Sequence, residues 1–234
     1  MMNGRMGMFT TPPVVKNLII INVLFFMAES MLPNGIGMAI SDKLALYSPL
    51  SENFHLYQII SYMFLHANTS HLFMNMFALW MFGRTLEYDL GSKRFLNYYI
   101  LTGIGAGILH LGVSYLEVVH IRSVISDAAS AGMSLGNLNA ALINRINAAT
   151  IGASGAVFGI LLAFGVLHPN VRIMLLIPPI PIKAKWFVII YGVIELTMGV
   201  ASSSDGIAHF AHVGGMIFGF LLLHYWKRTH RIFF

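Results

Sequence analysis

The chain has 234 residues, 57% of them hydrophobic and 10% charged, and a mean hydropathy of +0.73. Soluble domains are about 25% charged, so this composition excludes one and points to a polytopic membrane protein, with room for a bundle of roughly six spans of about 20 residues each. The absence of cysteine excludes a disulfide framework, a thiolate nucleophile and a Cys-ligated metal, and the net charge of +5 is scattered between apolar runs, which suits membrane orientation and not nucleic acid.

The first apolar run, 14–33, begins near Arg5 and Lys16 and carries Asn22 and Glu29. It lacks a small-residue cleavage site and reads as a retained span, not a signal peptide. Residues 34–56, broken by Gly35, Gly37 and Pro49, read as a loop lying partly in the interface. After the apolar stretch 57–67, Ala67-Asn68-Thr69-Ser70 offers N-cap chemistry for a second span over 69–86. Arg84, Glu87, Asp89, Lys93 and Arg94 form a polar turn before span three, 95–117. Residues 118–150 turn polar and small and are expected to be an external insertion, with an amphipathic helix over about 133–147.

Spans four (152–168), five (185–202) and six (207–226) follow, separated by Ile177-Pro178-Pro179-Ile180-Pro181 and by residues 202–206. A basic tail, 227–234, closes a single domain over 1–234 whose core is about 14–226. Lys and Arg collect on the cytoplasmic side of membrane proteins. With both ends inside, Arg5, Lys16, Arg84, Lys93, Arg94, Arg172, Lys183, Lys185, Lys227, Arg228 and Arg231 are internal, and only Lys43, Arg122 and Arg145 are external. The expected fold is therefore an all-α bundle of six spans with cytoplasmic termini, and span four begins at the outer face.

Span four opens with Ile151-Gly152-Ala153-Ser154-Gly155-Ala156-Val157-Phe158-Gly159. A serine at a helix N-terminus sits where unpaired N–H groups and the helix dipole favour developing negative charge, so Ser154 is a nucleophile candidate. Gly152 and Gly155 keep the approach free of side chains. Taken alone, the same small residues, with Gly155-x-x-x-Gly159, read rather as close helix packing in a membrane. A base elsewhere decides between the two.

Span six also begins at the outer face, with His209-Phe210-Ala211-His212-Val213-Gly214-Gly215. Ionisable residues inside a span are costly and face the bundle interior or a wet cavity. His212 shares a helical stripe with Ala208, Gly215 and Gly219, and those glycines allow close approach to span four, so His212 is favoured as base over His209. At the entry to span two, His71 and Asn75 lie four apart on one face, where their N–H donors could hold an oxyanion. His66, ahead of that helix, is read as pinning the loop. Glu29 and Glu195 are placed deeper in spans one and five and Asp205 in a loop, so no carboxylate is expected to complete a triad. A zinc site of His66, His71, His209 and His212 is disfavoured, because no carboxylate is placed at their level and H-E-x-x-H is absent. No metal and no cofactor are expected.

Gly152-x-Ser154-Gly155, Ala211-His212-x-Gly214-Gly215-x-x-x-Gly219 and His66-x-x-x-x-His71-x-x-x-Asn75, on spans four, six and two, resemble the rhomboid intramembrane serine proteases over about residues 57–226. The resemblance implies a Ser154–His212 dyad. It also implies an oxyanion hole from His71, Asn75 and the Ser154 N–H, with Phe158 packed on the catalytic histidine and Gly215 and Gly219 as a glycine zipper. The implied reaction is cleavage of single-span or polytopic membrane-protein substrates near their outer ends, within the lipid bilayer. Activity is expected to fall in acid as the base protonates. Many rhomboids carry Trp-Arg before span two where this chain has Tyr57-Gln58, and the 118–150 insertion exceeds the basic core. A catalytically dead, client-binding relative is disfavoured because Ser154 and His212 are both present. A transporter is disfavoured because no internal repeat is seen. The compact layout suggests a bacterial plasma membrane, with the site toward its external face.

Overall fold

The computed structural model describes residues 11–32, 35–174, 179–201 and 208–229. Arg5, Ile177, Pro178, residues 202–206 with Asp205, and His230 and Arg231 lie outside them. The described residues are helical apart from loops and one pair of three-residue antiparallel strands. In chain order they form α1 (Pro13–Met31), α2 (Ile36–Leu44), α3 (Gln58–Ser61), α4 (Thr69–Ala78), α5 (Arg84–Leu90), α6 (Ser92–Ser130), α7 (Gly136–Ile146) and α8 (Ser154–Leu167). The strands β1 (Arg172–Met174) and β2 (Pro181–Lys183), then α9 (Ala184–Val200) and α10 (His209–Arg228), complete the chain.

Several expected boundaries move. A wide turn over Leu79–Gly83 joins α4 to α5, so the second helix runs to Leu90 and not to 86. Residues 34–56, expected as a loop, contain α2, which presses Gly37 so closely on the end of α1 that a Cβ there would lie 2.0 Å from the Glu29 carbonyl oxygen. The polar stretch after 117 does not break the third helix: α6 continues to Ser130, because 118–130 contain neither Gly nor Pro. Gly132, at φ 68°, ends it, with the Met133 N–H donating to Ala128 O (2.9 Å) and the Gly132 N–H to Ala129 O (3.1 Å), a left-handed C-terminal turn. Thus the insertion is mostly helix. Arg145 of α7 pairs with Glu117, and Thr150 pairs backbone to backbone with Leu46, folding the segment back onto the body.

The outside of the bundle is apolar and the inside is partly polar. Leu24 is 58% exposed, Ile189 53% and Val193 59%, whereas Asn22, Gln58, Tyr98, Tyr99 and Thr102 are buried. Water would penalise such a surface, and hydrocarbon would not. By length and composition, α1 and α6 are the two described helices that could each cross a membrane. At 14 residues α8 is only about 21 Å long, shorter than a hydrocarbon core of about 30 Å. It is the buried centre of the molecule, with most of its residues enclosed by its neighbours.

Glycines set the spacing around α8. A Cβ on Gly215 of α10 would fall 1.8 Å from the Gly155 carbonyl oxygen, and one on Gly159 would fall 2.7 Å from Cβ of Thr102 on α6. Tyr98 of α6 donates its hydroxyl to Gly159 O at 2.9 Å, satisfying a polar side chain buried in the core. Backbone therefore meets backbone where α8 and α10 cross. Gly215→Ala must push them apart, a core overpacking that is expected to cost several kcal/mol. The expected result is a thermal midpoint in detergent lowered by several degrees or more, and a Gly215→Ala protein with an unchanged midpoint would contradict this packing.

Candidate active site

Ser154 is the first residue of α8. The ladder of that helix begins with the Val157 N–H donating to Ala153 O at 3.0 Å, so the N–H groups of Ser154, Gly155 and Ala156 have no partner within it. Together with the helix dipole they favour negative charge beside the serine hydroxyl. Gly152, just before, has φ 135°, a conformation L side chains rarely adopt, and its N–H donates to Tyr62 O at 2.9 Å. A Cβ there would lie 2.9 Å from His71 Cε1, 3.0 Å from His71 Nε2 and 3.5 Å from Ser154 Oγ. Bare backbone at Gly152 is what lets the His71 ring and the Ser154 hydroxyl share one small space.

His71 is fixed from its own helix. Asn68 caps α4 by accepting the His71 backbone N–H at 2.8 Å, while the His71 ring accepts the Ala67 N–H at Nδ1, 3.4 Å. That bond assigns the ring proton to Nε2, the atom facing Gly152. Asn75 is buried one turn further on, and its Nδ2 donates to the His71 carbonyl oxygen at 2.9 Å, leaving its second N–H for another acceptor.

Ser154 Oγ and His212 Nε2 are 2.8 Å apart. The other ring nitrogen of His212, Nδ1, lies 2.8 Å from Glu195 Oε2 on α9, and His209 Nδ1 reaches the same oxygen at 2.7 Å. A carboxylate can only accept, so Nδ1 carries the His212 proton and Nε2 presents its lone pair to the serine O–H. Phe158, one turn below Ser154, stacks on the His212 ring with centroids 4.2 Å apart and planes 8° from parallel. The expectation that no carboxylate lies at this level is therefore corrected. α9 ends at Val200, which puts Glu195 only five residues from its C-terminal end, while His212 is three residues into α10. Counting depth from the C-terminal end of span five, and not from its start, was the signal that could have found it.

Glu195, His209 and His212 also place one ligand atom each within 4.8 Å of one another, but their hydrogen bonds to each other and to Ser154 already occupy those atoms. Glu29 accepts from the Ser41 hydroxyl and so ties α2 to α1. Tyr57 and Gln58 anchor the loop by polar bonds: the Tyr57 hydroxyl donates to Lys43 O (3.1 Å), and buried Gln58 donates to Lys43 O (3.1 Å) and Asn53 O (2.8 Å). His66 contributes its ring as an edge against His71, centroids 5.0 Å apart, and its ring nitrogens have no hydrogen-bond partner among the described residues.

The sequence model of the rhomboid domain matches residues 53–228, three quarters of the chain and all of the site. The chain belongs to the rhomboid family. This rhomboid is 32% identical over 163 residues to the mitochondrial rhomboid protein 1 of Saccharomyces cerevisiae, a match covering 70% of the chain and 40% of the yeast protein. It is 29% identical to the chloroplastic rhomboid-like protein 11 of Arabidopsis thaliana (71% of the chain, 51% of that protein). It is also 29% identical to the rhomboid protease AarA of Providencia stuartii (68% and 52%). The matches thus span about half or less of the length of these curated relatives. Rhomboids are integral membrane proteins. The mitochondrial and chloroplastic relatives do not support the expectation of a bacterial plasma membrane, which rested only on the compactness of the chain.

His66 makes the fold sensitive to acid. Burial, with the His71 imidazole beside it, pushes the His66 ring down from 6.5 to about 4. The unfolded chain then takes up a proton near 6.5 that the folded chain resists, so stability is full above that value and falls as the pH drops toward 4. The thermal midpoint in detergent is expected to fall across this window, and His66→Gln to flatten the decline.

Proposed function

We propose that this rhomboid is an intramembrane serine endopeptidase in which Ser154 is the nucleophile and His212 the general base. The observation that carries the reading is the 2.8 Å contact between Ser154 Oγ and His212 Nε2, inside the bundle and at the mouth of a helix. His212 takes the serine proton as Oγ attacks a peptide carbonyl, then gives it to the departing amine; water entering from the outer side releases the acyl-enzyme by the reverse roles. The tetrahedral oxyanion is received by the Ser154 N–H, His71 Nε2–H and the Asn75 amide. The substrates are single-span or polytopic membrane proteins cut near their outer ends. Their helices must unwind to offer a carbonyl, which favours small or helix-breaking residues at the cut.

The same reading takes the core as six spans with both termini on the cytoplasmic side and the site opening outward, supported by the charge asymmetry of the loops and by the apolar exterior. The chain has no cysteine, so single cysteines report its sidedness directly. In right-side-out vesicles, an impermeant maleimide is expected to label Asn139→Cys on α7 and to spare Thr229→Cys. The opposite pattern would invert the topology.

Reconstituted in liposomes with a model single-span substrate, wild type is expected to cleave, while Ser154→Ala and His212→Ala abolish the product. His71→Ala is expected to keep residual activity, with kcat lower by about 10²-fold for one lost oxyanion donor. Cleavage that survives Ser154→Ala sinks the assignment.

A further inference from the structure

We propose that Glu195 is a positioning residue of this site, which makes the machinery a Ser154–His212–Glu195 triad with a second imidazole, His209, on the same carboxylate; the inference rests on the serine-protease reading above. Glu195 is 7% exposed, on a helix whose other buried residues are the apolar Ala184 and Val188. A buried carboxylate is costly unless it is paired and hydrogen-bonded. Packing gives no reason for it. Gly192 rests against Met216, Gly199 against Phe210, and Tyr191 against Phe158, all without charge. What Glu195 does contact are two imidazoles, His212 at 2.8 Å and His209 at 2.7 Å, both through Nδ1.

That arrangement does two things for His212. In the resting state the bond from Nδ1–H fixes the tautomer, so the Nε2 lone pair is aimed at the Ser154 hydroxyl 2.8 Å away, and the stacked Phe158 ring sets the imidazole plane. During attack, the serine proton moves to Nε2 and the ring becomes an imidazolium, whose new charge lies beside the Glu195 carboxylate. The proton stays on the ring and the carboxylate stays ionised, so no second transfer is required. His209 holds Oε2 from the other side. With α9 and α10 thus tied through one oxygen, the carboxylate cannot swing away from His212 without breaking a second buried bond.

The test measures kcat and KM of wild type, Glu195→Gln, Glu195→Asp, Glu195→Asn and Ser154→Ala in liposomes, beside thermal midpoints in detergent. Gln keeps the size and an acceptor oxygen but removes the charge. Glu195→Gln is expected to lower kcat by roughly tenfold or more with KM within about twofold, and to keep its melting midpoint within a few degrees. Should Gln fail to fold, the shorter pair reads the same dependence: Asp, charged, is expected to exceed Asn in kcat by at least about fivefold. Equal kcat for charged and neutral side chains at 195, or a Glu195→Gln loss that follows its melting and vanishes on cooling, overturns the triad. Cleavage that persists in Ser154→Ala overturns the underlying reading instead, and inactive Ser154→Ala beside fully active Glu195→Gln removes the triad alone.

Discussion

Where α10 crosses α8 there is no room for a side chain: the Cβ that Gly215 lacks would sit 1.8 Å from the Gly155 carbonyl oxygen. The 2.8 Å reach from His212 to Ser154 depends on that approach, because both side chains are short and spring from the two crossing helices. The same contact leaves Phe158 within stacking distance of the His212 ring. A methyl group at the crossing would move the imidazole and the hydroxyl apart together. Inside a membrane this solution is favoured, since lipid tails give apolar helices no hydrophobic reason to associate and close packing must supply the attraction.

Around this crossing, many of the buried polar groups are paired between helices. Glu87 of α5 accepts the Val14 and Val15 N–H groups at 3.0 and 2.8 Å, capping α1 from another helix, and takes the Ser92 hydroxyl at the start of α6 as well. Three helix ends are thereby tied at one point. Tyr98 and Tyr62 donate to Gly159 O and Gly103 O, using carbonyls that neighbouring glycines leave accessible. Orphaned polar groups would cost several kcal/mol each in this environment, so such bonds hold helix depths as well as contacts. Depth is what the site requires, since four helices must deliver His71, Ser154, Glu195 and His212 to one level.

The loop before α3 shows one anchoring problem solved by different chemistry. Many rhomboids carry Trp-Arg there; in this chain Gln58 is buried and spans Lys43 O and Asn53 O, with Tyr57 also on Lys43 O. An aromatic is kept at Tyr57 while the Gln58 amide stands in place of the charge with fixed donors, which need carbonyls held at the right distance. α2 and the Leu46–Thr150 pairing provide that frame, which also brings the insertion into contact with the loop.

Local features were legible in the sequence because they are written in neighbouring residues. The apolar runs, the Asn68 cap, the small residues around Ser154 and the histidine-glycine stripe of α10 each depend on spacing within one helix, and spacing survives whatever the helix packs against. Polarity alone misjudged the end of α6, since a helix stops at a Gly such as Gly132 and not where its surface turns polar. Glu195 was legible only in part. Its depth can be counted back from the end of its helix, but its place beside His212 also depends on the relative rotation of α9 and α10, which no periodicity within either helix records. Spacing along the chain shows which residues are available to do chemistry and on which helix; which of them meet is settled in three dimensions, by the close approach of whole helices.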